Sequence, residues 1–373
     1  MKFSDIAGLE QEKSRLRAMV DSGKIPHAIL LHGKPGIGKT MLARAFVQYL
    51  NCADRRDGDS CGKCPACLQT QSLNHPDVHF VYPVTKKKSN SAVSADYIEE
   101  WRTMLEKYPL MQPQKWLEIL GAGNSQPSIY VDESEEIVRV SSLTTYSASH
   151  KTFIVWQPEK MNLDAANKLL KVIEEPFSDT IFILVSNDES QLLPTVRSRL
   201  QGIKVTPQSS DEISQWLQKK HGCAADDASR IAKIAEGDIY KAEELLRNEG
   251  ETAEFTGYFI DVTRNSYARK AVELRNLSEK FNGFGREKSM RLLRYFSRLV
   301  RENFIYNMKI STLTAMTKEE EQFSMKFSPF INHRNVEKIS EEIDRAITDI
   351  GRNGNQKIIW FDFMLRLMVL LRS

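Results

Sequence analysis

The chain has 373 residues, a formal net charge of +3, 41% hydrophobic and 27% charged residues. Its length exceeds one ordinary core and predicts two or three domains, with the composition of a soluble globular protein. So small a net charge neither demands nor excludes nucleic acid. No apolar run reaches membrane-spanning length, and IIWFDFMLRLMVLL near the C-terminus carries Asp362 and Arg366, so it reads as a buried or partner-facing helix. The opening MKFSDIAGLEQEK has no signal-like apolar stretch, so a cytoplasmic protein is expected.

In chain order, EQEKSRLRAMVDSG has a helical pattern closed by Gly23. HAILLHG (27–33) reads as a buried strand, and GKPGIGKT turns it into the helix MLARAFVQYL. A cysteine-rich segment (52–67) follows, and then a polar, irregular stretch over 70–127 with Lys86–Lys88 and a helix around Trp101, read as a surface insertion. KTFIVW (151–156) leads into the helix LDAANKLLKVIEE, and TIFILVSN (180–187) leads into LLPTVRSRL. Strands alternating with helices predict a parallel α/β sheet. From about Ser209 the pattern is helical throughout, with loops at Asn282–Gly285 and Gly351–Asn355.

GKPGIGKT fits the G-x-x-x-x-G-K-[ST] phosphate loop, with Gly33, Lys34, Pro35, Gly36, Ile37, Gly38, Lys39 and Thr40 in place between a strand and a helix. Glycines let backbone N–H groups close around phosphate oxygens, and the helix N-terminus adds partial positive charge. Lys39 is placed to reach the β- and γ-phosphates and the Thr40 hydroxyl to ligate Mg²⁺, which makes ATP with Mg²⁺ the expected ligand. A loop that is intact but empty in the working protein is the other reading.

Cys52, Cys61, Cys64 and Cys67 are spaced C-x8-C-x2-C-x2-C among Asp, Arg, Gly and Lys. Free cysteines prefer apolar surroundings, whereas four thiolates at this spacing suit a closed, tetrahedral structural Zn²⁺ site. Four ligands leave no open position for catalysis. Cys223 stands alone and reads as a small buried residue.

The order of P-loop, four-cysteine insert, EKMNLDAANKLLKVIEEP and LLPTVRSRLQ resembles the clamp-loader subunits of bacterial replicative DNA polymerase III, within the AAA+ class. FSDIAGLEQEKSRL and IPHAILLHG share that resemblance, which is strong over about residues 1–205 and weaker beyond. It implies an AAA+ nucleotide-binding domain carrying the zinc module (1–205), a helical lid (206–250) and a helical, oligomerising collar (251–373). It also implies a hetero-oligomeric ring of gamma/tau-like ATPases, delta and delta-prime subunits that places a sliding clamp on primed DNA.

The family carries D-E-A-[DE]-[KR]-M at the end of its acidic strand, and here Trp156 and Gln157 stand at the two acids. Tryptophan offers no oxygen to a cation and neutral Gln cannot accept a proton. General-base help is worth about 10²–10⁴-fold, so hydrolysis is expected to be slow or absent, as in a delta-prime-like subunit. The rival is an active gamma/tau-type ATPase whose acids come from SIYVDESEE (128–136), read as a strand ending in Asp132 and Glu133. In the preferred reading Asp132–Glu136 are solvated polar residues.

By the same resemblance, SRL (198–200) matches the family's Ser-Arg-Cys motif, with Leu200 where Cys is usual. Arg199 is then the arginine that reaches a neighbouring subunit's γ-phosphate, with Arg197 as the nearby alternative. Asn187 matches the residue that senses the γ-phosphate, and a capping Asn is the bland reading. The lid arginine that usually follows G-D-x is replaced by Tyr240, beside Lys241. The basic run at 86–88 and the arginines of REKSMRLLRYFSRLVREN read as a solvated loop and an amphipathic helix rather than as DNA contacts.

Overall fold

In the computed structural model, described over residues 1–86, 92–122, 125–177, 179–247, 249–309 and 314–372, aliphatic and β-branched runs become the strands of one sheet. These are β1 (Ala28–His32), β2 (Val78–Val81), β3 (Lys151–Trp156), β4 (Thr180–Ser186) and β5 (Gln201–Lys204). They lie in the order β2-β3-β4-β1-β5 and every pairing is parallel, with Leu30 opposite Leu184 and Trp156 opposite Val185. β3 and β4 are buried along their whole length, as expected of parallel strands covered on both faces. This is the α/β P-loop architecture that the resemblance implies.

Alternation along the strands splits the core. Leu30, Phe153, Val155, Phe182 and Leu184 face one apolar cluster, closed by Leu169, Val172 and Ile173 of the helix Leu163–Glu174 and by Ile137 of the helix Val131–Ser141. Asn162 caps the first of these helices, its Oδ1 accepting the Ala165 N–H at 2.8 Å. The P-loop helix Lys39–Asn51 packs against β1, β3 and β4.

The chain divides into two compact units, Met1–Glu243 and Glu244–Ser373. The first continues past the sheet into the helices Ser210–His221 and Ala225–Ala235. The second is wholly helical among its described residues, with Phe259, Phe281, Leu292, Phe296, Ile343 and Trp360 in its core. The apolar C-terminal run is the helix Gln356–Leu370, which buries Trp360, Phe363, Met364 and Leu367 in that core. No helix of the described residues is long and apolar enough to cross a membrane. Two arginines of the helix Gly285–Asn307 are spent internally, Arg291 on Glu251 at 2.9 Å and Arg298 on Glu320. That favours the amphipathic-helix reading of this segment.

Residues 70–127 are not a surface insertion. They supply β2 at the edge of the sheet and the helices Ile98–Lys107 and Pro113–Leu120. Tyr82, Tyr97, Trp101 and Trp116 are buried: Trp101 stacks on Tyr82 at 3.9 Å and meets Trp116 edge-on at 5.3 Å. Trp116 Nε1 donates to Pro83 O at 2.7 Å. Lys87 and Lys88 lie outside the described residues, and Lys86 stands over the Tyr130 ring at 4.8 Å.

Candidate nucleotide site and cysteine cluster

The P-loop forms as its glycines require. Gly36 and Gly38 hold φ of +81° and +86°, a region that favours glycine, and Gly38 opens the helix Lys39–Asn51. A Cβ on Gly36 would stand 2.1 Å from the Asp238 carboxylate. Lys34 and Pro35 are exposed, whereas Gly36 through Thr40 are buried. Lys39 Nζ donates to Gly33 O at 2.8 Å and to Lys34 O. Burial pulls its pKa down to about 8, against the opposing charges of Glu159 and Asp238.

Residues outside the loop complete this site, and three of them, Gln208, Glu159 and Asp238, were not singled out by the sequence reading. The Tyr240 N–H donates to Gly36 O at 3.3 Å, and Gln208 Nε2 bridges Ala7 O (3.3 Å) and Ile37 O (3.0 Å). The segment at 237–240 therefore lies directly on the P-loop, with Tyr240, not arginine, at the position noted above. Asn187 is half-buried at the end of β4, and its N–H donates to Glu159 Oε1 at 3.1 Å. Glu159 and Asp238 are brought to Lys39 from 120 and 199 residues away in sequence, so local pattern alone could not reveal them. The one available signal was that Glu159 fits the fourth position of D-E-A-[DE]-[KR]-M.

Trp156 does not face this cluster. Its ring is 2% exposed and lies 5.6 Å from that of Trp101, among the buried aromatics described above. Gln157 then takes a left-handed conformation (φ +54°), reversing the chain before Pro158 and Glu159. For a residue other than glycine this conformation costs about 1–3 kcal/mol and is held by its surroundings.

The acids of SIYVDESEE correct two readings made from sequence. Residues 128 and 129 make only isolated bridges, and Asp132 and Glu133 lie in the first turn of the helix Val131–Ser141, not at a strand end. Glu133 is also not solvated: it is 5% exposed and accepts the Ser94 N–H. Burial pushes its pKa up to about 7.

Arg199 is exposed just after the turn Pro194–Arg197. Its Nη1 donates to Thr195 O at 2.8 Å and it pairs with Glu174. Arg197 pairs instead with Glu189 at 3.4 Å, which also lies 3.4 Å from His32 Nδ1.

Cys52, Cys61, Cys64 and Cys67 converge, with all four Sγ atoms within 4.8 Å of one another. Tetrahedral Zn–S bonds of about 2.3 Å put sulfurs roughly 3.8 Å apart, and Cys61 and Cys67 Sγ already stand at 4.0 Å. The Lys63 and Cys64 amides donate to Cys61 Sγ at 3.4 and 3.3 Å and hold its thiol down to about 6. The donor set thus fits one metal ion. Asp59, in the same loop, accepts the N–H groups of Phe3 (3.1 Å) and Ser4 (3.0 Å), tying the N-terminal segment to the module.

A family model described as DNA polymerase III, delta subunit matches residues 8–209, more than half of the chain. The DNA polymerase III subunit delta' of Pseudomonas aeruginosa is 30% identical over 173 residues, 46% of this chain and 41% of that protein. Its Yersinia pestis counterpart is 28% identical over 235 residues, 61% and 57% of the two chains. The aligned region thus spans about half the length of these relatives. A solved DNA polymerase III gamma subunit-related protein of Thermotoga maritima aligns over 96% of this chain and 99% of its own, at 14% identity and a TM-score of 0.41. On the family match, this chain belongs to the clamp-loader family of bacterial DNA polymerase III.

Proposed function

We propose that this chain is a delta-prime-like clamp-loader subunit that binds ATP without efficient hydrolysis and supplies Arg199 to a neighbouring ATPase subunit. The observation that carries the reading is Trp156. The first acidic position of the family's strand end is filled by a ring packed against Trp101, while the P-loop beneath Lys39 is intact. In this reading 1–205 bind nucleotide, 206–250 form the lid and 251–373 the collar, within a cytoplasmic ring of gamma/tau-like and delta subunits acting on a sliding clamp and primed DNA. Gly33–Thr40 and Asn187 would hold the nucleotide. Against the gamma/tau-type alternative, Asp132 and Glu133 lie in a helix rather than at the strand end that it invoked.

ATP binding and turnover by the isolated chain test this. Binding is expected without measurable turnover, and Lys39→Ala should weaken it at least about tenfold, since it removes a charged hydrogen-bond donor to the phosphates. Turnover that Lys39→Ala abolishes would overturn the assignment.

The cysteine module is read as a structural zinc site. The purified protein should contain about one zinc per chain, as a closed Cys₄ site requires. Cys64→Ser should lower that content and the melting temperature together. Metal analysis giving no zinc, with a wild-type melting curve for Cys64→Ser, would defeat this reading.

A further inference from the structure

We propose that Glu159 is the carboxylate of the P-loop site, neutralising Lys39 when the loop is empty and helping to hold the divalent cation of a bound nucleoside triphosphate. This rests on the nucleotide-binding reading above and adds a metal-holding residue to it.

The argument begins with the turn. After β3 the left-handed Gln157 and the ring of Pro158 reverse the chain, so Trp156 stays in the aromatic core and Glu159 returns to the strand ends. There Glu159 Oε1 accepts the N–H of Asn187, the residue that closes β4. Its other oxygen, Oε2, is buried and has no hydrogen-bond partner. A buried carboxylate oxygen without a partner carries a desolvation cost, which a cation or a donor would offset.

Burial raises the pKa of Glu159; the amides of residues 159 and 187, the Ser186 side chain and then the charge of Lys39 oppose it, and Glu159 is the larger of the two carboxylate influences on Lys39. Lys39 Nζ meanwhile directs hydrogen bonds to the Gly33 and Lys34 carbonyls. Lys39, the Thr40 hydroxyl next to it in sequence and the unpartnered oxygen of Glu159 are the kinds of group that phosphate and Mg²⁺ recruit. A hard divalent cation prefers this oxygen chemistry, and one carboxylate plus a phosphate-bearing ligand is a common way to hold Mg²⁺.

A purely structural role, bracing the Asn187 amide, is the competing account. Glu159→Gln separates the two, because the amide oxygen still accepts that hydrogen bond at equal volume while the charge is lost. A fluorescent ATP analogue is titrated into the full chain with Mg²⁺ and with EDTA. Wild type should bind more tightly with Mg²⁺. Glu159→Gln should lose that preference about tenfold or more and bind metal-free nucleotide at least as well as wild type. Glu159→Asp, which keeps the charge, should retain a preference that Gln loses. An equal Mg²⁺ preference in wild type and Glu159→Gln, or its equal loss in Gln and Asp, would overturn the Glu159 assignment and leave the nucleotide reading intact. Failure of wild type to bind nucleotide under either condition would overturn both.

Discussion

Trp156→Asp, the change that restores the family's first acid, is expected to destabilise the N-terminal unit by at least about 3–5 kcal/mol and to restore no ATP hydrolysis. Trp156 is 2% exposed, and its neighbour Trp101, with Tyr82 and Trp116 packed on that ring in turn, is as deeply buried. Truncating a buried tryptophan alone costs about that much, through lost transfer energy and the remaining cavity. A carboxylate placed there, against the buried Trp101 ring, adds a desolvation penalty. Against a total stability of about 5–15 kcal/mol the loss is large enough to abolish folding near physiological temperature. Urea titration or thermal melting reads it directly. A Trp156→Asp protein that keeps wild-type stability and hydrolyses ATP would mean that this position faces the nucleotide after all.

The same residue shows what the sequence could and could not reveal. β1, β3 and β4 were legible because their runs of Ile, Leu, Val and Phe are long enough to be buried on both faces. β2 and β5 were not. VHFV is only four residues and QGIK buries a single one, Ile203, so neither carries a periodic signal. Trp101 and Trp116 sit in a polar stretch whose local composition resembles a loop, and only their contact with each other and with Tyr82 makes that stretch part of the core.

The candidate site divides in a similar way. Glycines, Lys39 and the four cysteines announce themselves by spacing, since backbone conformation and metal geometry demand fixed intervals. Asp238 does not, because what matters is its approach to the loop in space, and Glu159 is marked only by the fourth position of the family's strand-end motif. Glu133 misled for the converse reason. A run of acids looks solvated until one of them is found accepting a buried N–H, as Glu133 does from Ser94.

Arg199→Ala should leave ATP binding by this chain unchanged, yet lower turnover at the neighbouring site of the assembled ring by about 10³-fold or more, the scale of an arginine supplied in trans. The guanidinium is exposed, and what holds it is cheap to exchange: one carbonyl, Thr195 O, and a surface pair with Glu174. Exposed ion pairs contribute about 0–1 kcal/mol, so a phosphate on a partner could displace Glu174 at little cost. Arg199→Lys should rescue poorly, because an ammonium lacks the planar fork that engages two phosphate oxygens. Arg197 provides the internal control. It pairs with Glu189 beside His32 at the end of β1, so Arg197→Ala should act on this chain's own strand ends rather than on a neighbour. Turnover would be measured in a ring whose remaining P-loop lysines are replaced by alanine, so that one site is read at a time. Loss of turnover with Arg197→Ala but not with Arg199→Ala would move the role to Arg197. Full turnover in both variants would end the in-trans reading, because Arg199 and Arg197 are the two arginines it offers.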